Sequence, residues 1–283
     1  MKTIGVVGCG LMGSGIVQVS AVAGYKTIVS EVSEDLVTLG VDRISKNIDK
    51  AVGRKKLTAE QGKQAKSNIK GTTSLEDMRA CDLVIEAVIE VVDEKKKIFK
   101  ELDRITKPEA LLATNTSSVC VIELAAVTER PDKVLGMHFF NPVPIMKLVE
   151  VVKTIATSDE TIAQAREFVT SLDKEPITCP DNTAFVVNKL LIPYLLDAAR
   201  MMEEGQVSRE DIDKGMKLGC GYPMGPLTLM DFVGLDTTYY IANIMFDEFK
   251  DARYAAPPLL KRMVLAGHWG KKVGKGFYDY PKK

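Results

Sequence analysis

The sequence predicts an α/β domain, doubly wound around a mostly parallel sheet, followed by an all-helical domain. Three observations carry that reading. Short β-rich runs at 3–8, 26–32, 82–88, 111–114, 134–139 and 147–152 alternate with helical stretches, the pattern of a parallel sheet covered on both faces. A glycine-rich turn, Gly8-Cys9-Gly10-Leu11-Met12-Gly13, joins the first run to an apolar helix that continues through Ala23. Beyond residue 182 the strand signals stop, and 184–204, 208–218, 226–249 and 257–266 all carry helical patterns.

Taken in order, the second run is followed by two charged stretches, 34–56 and 58–66, which read as an inserted helical pair with a basic turn between them. Ser158-Asp159-Glu160 starts a helix that reaches about residue 172. The segment 175–182, EPITCPDN, holds two prolines and reads as a linker. In the helical part Gly205 is a natural stop and Ser208-x-x-Asp211 a capping pattern. The expected domains are therefore 1–182 and 183–283, both of ordinary size.

Composition narrows the function classes. The 283 residues are 46% apolar and 27% charged, enough for real cores. Thirty-eight basic residues balance 38 acidic ones, so no basic stripe suggests nucleic acid as a partner. The 5 cysteines, Cys9, Cys81, Cys120, Cys179 and Cys220, are scattered and never spaced as a metal or disulfide motif. That favours reduced thiols in a cytoplasm and no zinc site. Residues 3–25 carry no charge behind Lys2, but Gly5, Gly8, Gly10, Gly13, Gly15 and Gly24 interrupt the run too often for an export signal or membrane span.

Gly8, Gly10, Leu11, Met12 and Gly13 sit between a strand and a helix, and Glu31 follows Gly13 by 18 residues at the end of the next strand. This is a Rossmann-type dinucleotide site: glycines let backbone approach a pyrophosphate at a helix N-terminus, and the carboxylate accepts hydrogen bonds from ribose hydroxyls. A carboxylate there repels a 2′-phosphate, so NAD is expected rather than NADP. The bland alternative is a tight turn with no ligand and a solvated Glu31.

Glu150, flanked by Leu148, Val149, Val151 and Val152, is costly to bury without a partner, and His138 lies 12 residues earlier in the preceding apolar run. Paired, they suit alcohol–ketone interconversion: an imidazole takes the hydroxyl proton as hydride leaves carbon, and a carboxylate fixes its tautomer. The same pair reads equally as a buried structural ion pair. Ser117, in Asn115-Thr-Ser-Ser118 after the strand at 111–114, stands at a sheet's carboxyl end, where ligands bind, or simply caps a helix. Asn188 shares a helix face with Ala184, Val187, Leu191 and Leu195; it either serves the site or bonds within the helical domain.

At these residues the chain resembles the 3-hydroxyacyl-CoA dehydrogenase family over essentially its whole length. The motifs are GxGxxGxG at 8–15, VIEAVIE at 84–90, NTSS at 115–118, GMHFFNPVPIMKLVEVV at 136–152, FVVNKLL at 185–191, GYPMGPLTLMDFVGLD at 221–236 and GKKVGKGFY at 270–278. The resemblance implies an NAD-dependent enzyme interconverting (S)-3-hydroxybutyryl-CoA and acetoacetyl-CoA. It implies a His138–Glu150 dyad, Ser117 and Asn188 on the substrate oxygen, and Glu31, Glu90, Lys95, Ser117, Asn141 and Lys272 around NAD. The helical insertion would contact coenzyme A, making Lys50, Arg54, Lys55 and Lys56 candidates for its phosphates; a solvated helix end is the alternative. A homodimer through the C-terminal helices is implied too. One departure stands out: similar sequences often carry Pro-Gly where this chain has Thr183-Ala184, so a required positive φ would strain Ala184. Lys189, where many relatives have Arg, is a milder change.

Overall fold

The computed structural model describes residues 1–281, which separate into two compact units, Met1–Phe185 and a second from Val186 onward. The first unit runs β1 (Thr3–Val7), α1 (Leu11–Val22), β2 (Lys26–Ser30), α2 (Glu34–Gly53), α3 (Ala59–Ser67), β3 (Ile69–Thr72), β4 (Leu83–Glu86), α4 (Val92–Ile105), β5 (Leu111–Thr114), α5 (Val121–Ala125), β6 (Val134–Phe139), β7 (Leu148–Lys153), α6 (Asp159–Ser171) and β8 (Glu175–Pro180). Among the described residues the strands form one 8-stranded sheet in the order β3-β2-β1-β4-β5-β6-β7-β8. Every neighbouring pair is parallel except β6–β7. The order reverses beside β1, so the loops after β1 and β4 part there and leave the crevice in which such sheets bind ligands.

The central strands are buried on both faces, as their unbroken apolar runs require. One apolar cluster joins Ile4, Val6, Ile85, Leu135 and Met137 to Ile16 of α1, Ile44 of α2 and Phe168 of α6. The other joins Val84, Leu112 and Val152 to Phe99 of α4 and Leu124 of α5. The inserted pair α2–α3 is set by its caps: Ser33 accepts from Leu36 N, and Thr58 with Gln61 forms a reciprocal capping box.

Two strands went unread in the sequence. The segment 175–182 is not a linker through most of its length: Glu175–Pro180 pairs in parallel with β7. Its prolines fit because β8 is the sheet's edge, where one side needs no ladder donors. The opposite edge, β3, is IKGT, too short and polar to signal a strand, and a Cβ on its Gly71 would meet Val37 Cγ1 of α2 at 2.4 Å.

The second unit comprises α7 (Val187–Glu203), α8 (Arg209–Gly219), α9 (Pro226–Val233), α10 (Leu235–Phe249) and α11 (Pro258–Leu265). Gly205 follows α7 at φ +71°, and Ser208 caps α8 by accepting from Asp211 N. The stretch read as one helix at 226–249 breaks at Gly234, φ +105°. Two buried carboxylates hold this unit's irregular backbone. Asp213 accepts from Leu227 N, Thr228 N and Thr228 Oγ1, and Asp231 from Phe277 N, Tyr278 N and Tyr280 OH. A Cβ on Gly225 or Gly276 would collide with these side chains, at 2.3 and 1.9 Å, which is why the two C-terminal motifs carry glycine there. No helix among the described residues is long and apolar enough to cross a membrane.

Candidate active site

The glycine loop after β1 is shaped for close backbone approach. Gly8 sits at φ +96°, and a Cβ there would lie 2.7 Å from Ala87 O; one on Gly13 would lie 1.9 Å from Gly8 O. Gly10 faces open space within 4 Å, and no side chain caps the first turn of α1, so its N–H groups remain for an anion. Glu31 follows β2 and accepts from Cys9 N at 2.6 Å and Val32 N at 3.2 Å, which fixes its carboxylate at the rim of the loop. Burial first, then Glu31, pushes the Cys9 thiol up to about 11, so the loop presents no thiolate to a phosphate at neutral pH. An uncapped helix start, an open glycine and a carboxylate directly after the second strand fit a dinucleotide.

Across the crevice a buried ion network organises the loop after β5. Lys95, 1% exposed, lies 2.7 Å from Glu86 Oε1 and 3.1 Å from Glu90 Oε2. Glu86 also accepts from Val88 N and from Thr114 Oγ1, so this fully buried carboxylate is satisfied at both oxygens. Glu90 Oε1 accepts from Thr116 Oγ1 and Ser117 N, each at 3.0 Å, so a chain of contacts from Lys95 through Glu90 sets Ser117. Asn115 Oδ1 takes the N–H of Phe139, tying the same loop to β6. Asp181 accepts from Val121 N and Ile122 N and so caps α5 behind the loop.

His138 and Glu150 occupy directly opposed positions of antiparallel β6 and β7. Their Nδ1 and Oε2 lie 2.7 Å apart, with Glu150 wholly buried and His138 7% exposed. The rings of Phe140 and Phe185 stand 4.5 and 5.6 Å from the imidazole, an apolar surround that strengthens the pair. With Nδ1 engaged, Nε2 is the ring nitrogen left for a further hydrogen-bond partner. Asn141 is exposed just beyond β6.

The predicted basic cluster divides. A groove of about 630 Å³ is lined by Lys50, Arg54 and Lys56 of the insertion together with Lys147 and Lys174; Lys55 does not line it. In the second unit Asn188 falls in the first turn of α7 and is half-buried, not on a face shared with Ala184, because the helix starts only at Val187. Ala184 and Phe185 precede it at φ 71° and 50°, so the strained position flagged in the sequence is real. Lys189 stands over the Phe249 ring at 2.9 Å. Lys272 pairs with Asp236 at 2.6 Å. Among the described residues no group of His, Cys, Asp and Glu is arranged to hold a metal ion.

Residues 3–183 match the 3-hydroxyacyl-CoA dehydrogenase NAD binding domain and residues 185–280 that family's C-terminal domain. The chain belongs to the 3-hydroxyacyl-CoA dehydrogenase family. A 3-hydroxybutyryl-CoA dehydrogenase of Mycobacterium tuberculosis is 50% identical over 282 residues, 99% of each chain. One from Bradyrhizobium diazoefficiens is 43% identical over 280 residues, 99% of this chain and 96% of its own. The crystal structure of (S)-3-hydroxybutyryl-CoA dehydrogenase from Ralstonia eutropha superimposes with a TM-score of 0.96 at 43% identity, covering 100% of both chains. As a 3-hydroxyacyl-CoA dehydrogenase family member the chain uses NAD, and the glycine loop described above lies within the matched NAD binding domain.

Glu86, Thr114, Thr116 and Asn115 are not among the site residues expected from the sequence. Glu86 carried a usable signal, a carboxylate inside the apolar run LVIE, the same anomaly that exposed Glu150. Thr116 and Asn115 gave none, since their roles depend on where two loops meet.

Proposed function

We propose that this chain is an NAD-dependent oxidoreductase interconverting (S)-3-hydroxybutyryl-CoA and acetoacetyl-CoA. The observation that carries this is the 2.7 Å His138–Glu150 contact, in the same sheet whose glycine loop fits a dinucleotide. NAD, when bound, supplies the acceptor for hydride. In the oxidative direction His138 Nε2 takes the hydroxyl proton as the C–H pair departs; in the reductive direction the imidazolium returns it. Glu150 holds Nδ1–H and offsets the charge that forms. Ser117 and Asn188 hold the substrate oxygen, while Glu31, Glu90, Asn141 and Lys272 stand around the dinucleotide and Lys95, 1% exposed, acts there only through Glu90; for Asn141, Asn188 and Lys272 the support is family resemblance alone.

Lys50, Arg54 and Lys56 serve the coenzyme A phosphates, supported by their shared groove. Homodimerisation through the second unit is what the family resemblance implies; Leu190, Leu218 and Leu265 there are each more than 70% exposed. A reducing cytoplasm suits the unpaired cysteines. The deciding measurement is absorbance at 340 nm with acetoacetyl-CoA and NADH. Pure protein that consumes NADH only with the thioester present supports the proposal; no consumption refutes it.

A further inference from the structure

Lys174 is a buried cation that none of the assigned roles uses. It is 5% exposed, and its Nζ donates to Val143 O at 2.6 Å and Met146 O at 2.7 Å. Among the described residues it makes no ion pair, whereas its neighbour Lys147 is paired with Asp173. Burial, then Lys147, holds its pKa below the usual lysine range. An ammonium so placed is expensive, and a methionine of similar length would fill the space at lower cost.

What it grips explains the expense. Val143 and Met146 belong to the loop from Phe139 to Leu148, which joins the strand of His138 to the strand of Glu150. The loop is folded on itself by Ile145 N and Met146 N, both donating to Pro142 O, and Val143 packs so tightly on α1 that a Cβ on Gly15 would lie 2.7 Å from its Cβ. Pro142, Pro144 and Ile145 of this loop also form a wall of the groove that holds Lys50, Arg54 and Lys56, and Lys174 lines the same groove. A lysine has three donors. Two are spent on the loop, and the third is left over beside a basic groove.

We infer that Lys174 is a positioning residue that couples occupation of the groove by the polyanionic end of the acyl-CoA to the alignment of His138 with Glu150. This rests on the reading of the groove as the coenzyme A site. A phosphate there offsets the repulsion between Lys174 and Lys147 and firms the clamp on Val143 O and Met146 O. The two strand ends then hold the dyad in register. Binding energy from a part of the substrate that does not react is thereby realised as kcat.

The test compares acetoacetyl-CoA with acetoacetyl-N-acetylcysteamine, which carries the same ketone and thioester without phosphates, and adds adenosine 3′,5′-bisphosphate as the missing piece. In the wild type, kcat on the truncated thioester rises about tenfold with the bisphosphate, within the usual span of coupling between two sites. In Lys174→Met the rise disappears, and the ratio of kcat for the full to the truncated substrate falls towards one, whatever the absolute rates. Lys174→Arg, which keeps a cation and its donors, retains most of the rise. A wild type indifferent to the bisphosphate overturns the inference, even if Lys174→Met does not fold, and so does a Lys174→Met enzyme that keeps the wild-type ratio. If the wild type turns over acetoacetyl-CoA in either of those cases, the coupling alone has failed. No turnover of acetoacetyl-CoA removes the underlying function as well.

Discussion

His138 Nδ1 and Glu150 Oε2 face each other at 2.7 Å across directly paired strand positions, so the imidazole is held by the sheet itself. Opposed residues on antiparallel strands have their Cβ atoms about 5 Å apart, within reach of a direct side-chain contact. The pairing fixes which side chains meet, and the loop from Phe139 to Leu148 that joins the two strands governs how firmly their ends are held.

Replacing Glu150 by Gln keeps the shape and a hydrogen-bonding oxygen but removes the charge that offsets the imidazolium. The expected result is a fall in kcat of about two orders of magnitude or more, with the KM for NADH within about twofold of wild type. Initial rates at 340 nm over a range of NADH concentrations check it. Wild-type kcat in Glu150→Gln would remove Glu150 from the mechanism.

The basic cluster gives an internal control. Lys50, Arg54 and Lys56 line the groove and Lys55 does not, although it sits between two of them. Charge reversal at Arg54 or Lys56 is expected to raise the KM for acetoacetyl-CoA about tenfold, roughly the value of one charge-assisted hydrogen bond, and to spare the KM for NADH. Lys55→Glu is expected to stay within about twofold. Equal effects at all three positions would point to general electrostatic attraction and away from a shaped phosphate site.

The sheet's central strands, the glycine loop and the His138–Glu150 contact were legible in the sequence because each rests on local pattern: alternation of element types, a turn with fixed spacing, a carboxylate out of place among valines. The edge strands were not. β3 has a glycine and a lysine in its 4 residues, and β8 begins and ends near proline, so their strand character comes from the neighbours they pair with. The Glu86–Lys95–Glu90 network was half visible, since Glu90 and Lys95 entered through family resemblance while Glu86, which anchors Lys95, was missed. Lys174 was invisible for a plainer reason: nothing in its flanking residues says that two carbonyls 28 and 31 positions away will close over it.

Ala184 offers a test of backbone strain. At φ 71° a residue with a Cβ carries a penalty of about 1 to 2 kcal/mol, which glycine avoids. Against this, Ala184→Gly adds about 0.5 to 1 kcal/mol of chain entropy and gives up a methyl that is 1% exposed, worth about 0.8 kcal/mol. The terms nearly cancel, so the glycine variant is expected within about 0.5 kcal/mol of wild type by urea denaturation. Ala184→Val, with a branched Cβ at the same φ, is expected to lose more than about 2 kcal/mol. A valine variant as stable as wild type would mean that the chain does not hold a positive φ at this position.

Asp82 sets an acid limit on the first unit. Burial alone would raise its pKa, but the Lys107 ammonium and the N–H groups of Lys2 and Thr3 outweigh this and bring it down to about 2, from an ordinary 3.8. The folded state holds the carboxylate ionised more strongly than the unfolded chain does, so its contribution is complete above about pH 4 and disappears as pH falls towards 2. With Asp82 only about a quarter exposed, the contribution is about 1 to 2 kcal/mol after allowance for solvent screening. Asp82→Asn keeps the geometry but cannot be charged, and is expected to be less stable than wild type by that amount at pH 7. Chemical denaturation from pH 7 to pH 2 should show the two curves converging below pH 4, because wild type alone loses the carboxylate's share. A stability difference that stays constant across the range would mean the Lys107 contact does not hold this carboxylate in solution.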